Sequence, residues 1–139
     1  MFYFLLVKSY PVKQYRFPVN EVNSCPTTNQ SWYEAGVQLN CTYDKNNRFQ
    51  YMCIPNQAKT ALLEFCYDYF IRLHEKGHCL HLTDSGTVNE DSCKSFNDGC
   101  PYRPYLSNNI FLFQRCLNIN KQLGCFIDDP QCPLVNQRH

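Results

Sequence analysis

Ten cysteines in a chain of 139 residues constrain this sequence more than any other feature. They stand at Cys25, Cys41, Cys53, Cys66, Cys79, Cys93, Cys100, Cys116, Cys125 and Cys132. Thiols at this density suit an oxidising compartment, where they pair, and an even count allows complete pairing. The spacings are broad and irregular, and no Cys-x-x-Cys occurs, so zinc-ribbon and thioredoxin-type motifs lose their main signal. The expected role of all ten is structural, as disulfides. Two glycosylation sequons agree with a secretory route: Asn29-Gln30-Ser31 and Asn40-Cys41-Thr42.

Charge excludes other classes. Thirteen basic and twelve acidic side chains leave a formal net charge of +1. A nucleic-acid binder or a polybasic membrane-surface protein carries a clear basic excess, so neither partner is expected. No run approaches the ~20 apolar residues of a membrane span. Met1 to Val7 is apolar but short, and it reads as a signal-peptide remnant or an amino-terminal strand. A membrane connection would need a span missing from this chain. The organisation expected is an amino-terminal tail or extended edge segment (1–24), a disulfide-stapled ectodomain (25–132) and a frayed carboxy-terminal tail (133–139).

The periodicity predicts an α+β domain, with two amino-terminal helices followed by a small antiparallel sheet. The first helix is expected over Trp32–Asn40. Ser31 and Glu34 fit a capping box, and Trp32, Ala35, Gly36 and Leu39 share one face. The second is expected over Gln57–Tyr69, capped by Asn56, with Ala58, Leu62, Phe65 and Tyr69 as its stripe. Strands are expected at Cys79–Thr83, Ile110–Phe113, Cys116–Ile119 and Cys125–Ile127, with turns at Asp84-Ser85-Gly86 and Asn97-Asp98-Gly99. A first helix about 14 Å long separates Cys25 from Cys41 by more than the ~7 Å that bridged Cα atoms span. The same reasoning disfavours Cys53–Cys66. An antiparallel helical hairpin would instead bring Cys25 to Cys66 and Cys41 to Cys53. The other six cysteines stay unassigned.

Candidate chemistry is thin. His74, His78 and His81 flank Cys79 and could in principle ligate zinc, but Gly77 interrupts them and a strand turns His78 and His81 to opposite faces. Surface histidines are the simpler reading. Asp84-Ser85-Gly86 resembles an aspartic-protease triplet without its required second copy. Glu64 to Asp68 lacks the His-Asp pair and calcium loop of a secreted phospholipase, and the two acids read as a solvated i,i+4 face. No catalytic residue, cofactor or metal is expected. Tyr102, Arg103 and Tyr105, on a Pro-rigidified segment, form the suggested binding patch, because Tyr and Arg anchor interfaces well.

The ordered framework also resembles a known family. Its residues are Cys25-Pro26, Trp32, Leu39-Asn40-Cys41, Tyr51-Met52-Cys53-Ile54-Pro55-Asn56, Leu62-Leu63-Glu64-Phe65-Cys66-Tyr67 and Gly77-His78-Cys79-Leu80. They continue with Cys93, Phe96, Gly99-Cys100-Pro101, Tyr105, Ser107, Cys116-Leu117-Asn118-Ile119-Asn120, Cys125-Phe126 and Asp129-Pro130-Gln131-Cys132. This set is similar to the uncharacterised cysteine-rich ectodomains that molluscs and related marine invertebrates encode in large numbers. The resemblance implies a signal peptide, this ectodomain, one membrane helix and a variable intracellular part; here the leader is short and the chain ends seven residues after Cys132. It implies no catalytic residues. The expectation is a non-catalytic extracellular binding or receptor module whose partner is an extracellular protein or glycan. The alternatives are a secreted hydrolase or lytic factor, and a structural component of matrix or mucus.

Overall fold

Residues 15–133 are described by the computed structural model. The expected remnant at Met1–Val7 lies outside them, as do the last six residues. The order is β1 (Val19–Val22), α1 (Asn29–Gln38), β2 (Tyr51–Pro55), β3 (Leu62–Cys66), β4 (Leu73–His74), β5 (His78–Leu82), β6 (Val88–Ser92) and β7 (Tyr105–Leu106). Two 3-10 helices (Ser107–Leu112 and Gln114–Leu117), β8 (Ile119–Asn120) and β9 (Cys125–Phe126) follow. The strands make one three-stranded sheet, β1-β3-β2, and three two-stranded sheets, β4-β7, β5-β6 and β8-β9, all antiparallel.

This overturns the expected pair of amino-terminal helices. The domain is mostly strands and loops, with a single α-helix and two 3-10 helices among the described residues. Residues expected as the second helix form a hairpin loop and β3. Asn56 explains the difference: its side-chain oxygen accepts from the amides of Thr60 and Ala61 (2.8 and 3.2 Å), and Lys59 takes a left-handed φ of 59°. Asn56 thus closes a turn between β2 and β3 rather than capping a helix. Glu64 and Asp68 therefore share no helical face. Glu64 accepts from the Tyr51 hydroxyl at 2.8 Å, and Asp68 receives Arg16 at 2.7 Å.

The one α-helix begins three residues earlier than expected, with its box shifted accordingly. Thr28 is the N-cap. Its hydroxyl accepts from the Ser31 amide at 3.0 Å, while the Ser31 oxygen accepts from the Thr28 amide at 3.1 Å. Glu34 instead receives the Gln30 side chain. The apolar face is as expected, with Trp32 and Gly36 buried and Ala35 and Leu39 half-buried. Gly36 is there for space: a methyl group would stand 2.5 Å from Phe49 Cζ and 2.7 Å from Tyr51 Cβ.

All ten cysteines are paired: Cys25–Cys53, Cys41–Cys66, Cys79–Cys116, Cys93–Cys100 and Cys125–Cys132. The expected Cys25–Cys66 and Cys41–Cys53 bonds are wrong because the second helix they required is a strand. In β2-β3, Tyr51 lies opposite Cys66 and Cys53 opposite Glu64, so Cys53 and Cys66 share one sheet face. That face receives α1, with Trp32 set edge-on to Tyr51 at 5.0 Å. The segment before α1 is fastened to Cys53 and the segment after it to Cys66.

Among the remaining elements, β5 and the Asp84-Ser85-Gly86 turn form as expected, and Gly86 takes a φ of +88°. Arg16 clamps that turn, donating to the carbonyls of Ser85 and Gly86 (2.8 and 3.0 Å). Ile110–Phe113 is not a strand. Ile110, Phe111 and Phe113 are buried while Leu112 faces out, a spacing that a 3-10 turn satisfies and a period-2 strand does not. Cys116–Ile119 divides between the second 3-10 helix and β8.

Candidate functional site

The expected Tyr102–Arg103–Tyr105 patch is only partly assembled. Tyr102 is 74% exposed, and the Arg103 guanidinium lies 5.6 Å from the ring centres of Tyr102 and Phe113. Tyr105 turns inward at 3% exposure, because β7 pairs with β4 and directs its ring at Phe113 and His74. Its hydroxyl donates to the His78 carbonyl at 2.6 Å. Burial, assisted by the charge of Glu90, pushes the Tyr105 phenol upward.

A second aromatic surface surrounds the 43–50 loop, and sequence reasoning missed it. Phe49 packs between Tyr33 of α1 and Tyr43, with ring centres 5.0 and 5.2 Å away; Tyr33 and Tyr43 are about half exposed. Nearby, Lys45 Nζ stands 5.1 Å from the Phe70 ring, which contacts exposed Tyr69. Asp44 holds this loop, accepting from the amides of Asn46, Arg48 and Ile71 at 2.9, 3.0 and 2.9 Å. Partial burial works against its charge, but these three amides outweigh it and hold the carboxyl below the usual range. Only an Asp-to-backbone pattern could have announced the loop, and it crosses 27 residues to Ile71.

The histidines are the largest surprise. His74 and His81 are 1% and 8% exposed, so neither is the surface histidine expected; His78 is half-buried. His74 Nδ1 lies 2.5 Å from Glu90 and Nε2 lies 2.7 Å from the Ser107 hydroxyl. With the proton on Nδ1, His74 donates to Glu90 and accepts from Ser107. This is the connectivity of an acyl-transfer triad. Ser107, however, is 1% exposed, and its oxygen also lies 3.2 Å from the Arg72 carbonyl. None of the three cavities described touches His74, Glu90 or Ser107. What the arrangement does is join β4, β6 and the first 3-10 helix.

A second pair is built alike. His81 lies 2.7 Å from Asp91, which also receives Lys59 Nζ at 3.1 Å. Burial opposes the Asp91 charge, but His81 and Lys59 outweigh it and the carboxyl is held below its ordinary value. These contacts tie the β5-β6 hairpin to the 56–61 loop.

Burial is the dominant influence on His74 and lowers its basicity; Glu90 opposes this, and Arg72 and His78 reinforce it. A histidine protonating near pH ~6.5 when unfolded, and lower when folded, makes the unfolded chain bind more protons just below that pH. Stability is therefore full above pH ~6.5 and falls as the pH drops toward the folded value. Melting curves from pH 7.5 to 5 are expected to show this acid-side loss, with a shallower slope in His74→Gln. An unchanged slope in the variant would contradict the assignment.

The two sequon asparagines are exposed. Asn29 opens α1, and Asn40 follows it with a φ of 61°. Of the three cavities described, the most voluminous, of about 890 Å³, lies beside β1 and the 56–61 loop, bounded by Phe17, Val19, Glu21, Asn56 and Thr60. No helix among the described residues is long and apolar enough to cross a membrane. Five disulfides are consistent with an extracellular or secreted protein. No family model, curated protein or solved structure matches the chain.

Proposed function

We propose that this chain is an extracellular, glycosylated binding or receptor-ectodomain module, non-catalytic, whose ligand is an extracellular protein or glycan. The observation that carries the reading is the Tyr33–Phe49–Tyr43 row on disulfide-anchored backbone. Cys41–Cys66 fixes the chain just before Tyr43, and Asp44 fixes the loop just after it. Aromatic side chains held this way lose little entropy on binding, which is what an interface anchor requires. The resemblance of the cysteine framework to invertebrate ectodomains supports the same reading.

The test is a binding screen of the secreted protein against a glycan microarray and a panel of purified extracellular glycoproteins. Saturable binding is expected, weakened about 30-fold or more by Tyr33→Ala/Tyr43→Ala, the loss typical of interface hot spots. Binding insensitive to that change would displace the site. Treatment with a peptide amidase that removes Asn-linked glycans is expected to shift the mass twice, with one shift lost in Asn29→Gln and the other in Asn40→Gln.

The hydrolase alternative rests on Ser107–His74–Glu90. A serine-directed fluorophosphonate is expected to leave Ser107 unlabelled in the folded protein, since that oxygen is buried. Stoichiometric labelling, abolished by His74→Gln, would favour the hydrolase.

A further inference from the structure

The Sγ atoms of Cys79, Cys93 and Cys116 all lie within 4.8 Å of one another. Two of them form the Cys79–Cys116 bond; the third belongs to Cys93–Cys100. The β5-β6 hairpin creates this proximity. Cys93 follows β6 and its amide donates to the Gly77 carbonyl at 2.9 Å, which places Cys93 diagonally across from Cys79 on the same face. Cys79, Cys93 and Cys116 are each 0% exposed, whereas Cys100 is half-buried and sits at a turn after Gly99, which has a φ of +84°. One disulfide therefore joins a half-buried outer cysteine to a fully buried inner one whose sulfur lies within 4.8 Å of a second disulfide.

We propose that these two bonds form a thiol–disulfide exchange site whose co-reactant is a low-molecular-weight thiol. In the first step the thiolate attacks Cys100 Sγ. The Cys93–Cys100 bond breaks, a mixed disulfide forms on Cys100, and Cys93 leaves as thiolate. In the second step Cys93 attacks Cys79 Sγ, forming Cys79–Cys93, and Cys116 leaves as thiolate and takes a proton from solvent. Two disulfides and one thiol enter, and two disulfides and one thiol leave, so the sequence needs no oxidant or net reductant. Attack on Cys116 Sγ instead gives Cys93–Cys116 and frees Cys79, with the same balance. In either case the Cys79–Cys116 tether between β5 and the second 3-10 helix is lost. A thiol arriving at the surface thus unlocks a contact inside the domain.

The Cys100→Ser variant tests this without added thiol, because it leaves one unpaired sulfur beside the Cys79–Cys116 bond. After acid quenching, alkylation and peptide mapping, about a third or more of the label is expected on Cys116 and Cys79 together, as exchange among neighbouring sulfurs of similar reactivity gives. Label confined to Cys93 would overturn the proposal. Cys132→Ser serves as the control: label is expected only on Cys125, whose sulfur belongs to no such cluster among the described residues. Should Cys100→Ser fail to fold, the wild-type protein is treated with glutathione and mapped the same way. Glutathione on Cys100 with a rearranged Cys93 bond supports the exchange. Glutathione on Cys100 with free Cys93 and intact Cys79–Cys116 refutes it.

Discussion

Replacing Cys79 and Cys116 together by alanine is expected to lower the unfolding free energy by about 4 kcal/mol, measured by urea denaturation. The bond closes a loop across a sequence separation of 37, and the loop-entropy relation gives that magnitude at this length. Cys93→Ala/Cys100→Ala closes a separation of only 7 and is expected to cost about 2.5 kcal/mol. The ordering matters more than either value. It follows from the premise that cross-links limit the unfolded chain. Equal losses, or a larger loss from the short loop, would mean that packing around the sulfurs dominates instead.

Trp32→Ala is the second large effect, expected to cost about 3–5 kcal/mol and to lower the melting temperature on the order of 15 °C. Trp32 is 3% exposed and wedged between Tyr51 and Phe111, with ring centres at 5.0 and 5.4 Å. It joins α1 to the sheet and to the first 3-10 helix. Its indole nitrogen is buried with no hydrogen-bond partner among the described residues. A buried donor left unmade costs roughly 1–3 kcal/mol. Trp32→Phe removes that donor while keeping a ring, so it is expected to retain most of the stability. If Phe proves as damaging as Ala, the indole makes a contact that this account lacks.

The sequence exposed the local features and concealed the long-range ones. Complete pairing of the cysteines, the face of α1, strand β5 and the turn at Gly86 all follow from residue type and short spacing. The partners of Cys53 and Cys66 did not, because they depend on whether 57–69 is helix or strand. Leu62-Leu63-Glu64-Phe65-Cys66 is a short apolar run that fits both periods, and sheet faces covered on both sides erase the alternation that marks a half-exposed strand. Asn56, following Pro55, fits a helix cap by position, whereas its side chain closes a hairpin to Thr60 and Ala61.

The sites show the same division. Tyr102 and Arg103 are exposed as the Pro-flanked segment suggested, while Tyr105 is drawn inward by pairing with β4, a partner 31 residues away at His74. The Tyr33–Phe49–Tyr43 row joins a helix to a loop and has no local signature. Ser107, His74 and Glu90 stand 33 and 16 residues apart, so nothing along the chain could announce them. Their burial also shows that triad connectivity is a matter of access as well as distance. The same three groups at the base of an open cleft would suggest hydrolysis; here they join β4 and β6 to a 3-10 helix.

The central claim is that covalent pairing of all ten cysteines fixes this domain. Peptide mapping of the secreted, unreduced protein tests it most directly. The account predicts five linked pairs, Cys25–Cys53, Cys41–Cys66, Cys79–Cys116, Cys93–Cys100 and Cys125–Cys132, and almost no alkylated cysteine. Recovery of most of the ten as free, reagent-labelled thiols would contradict it.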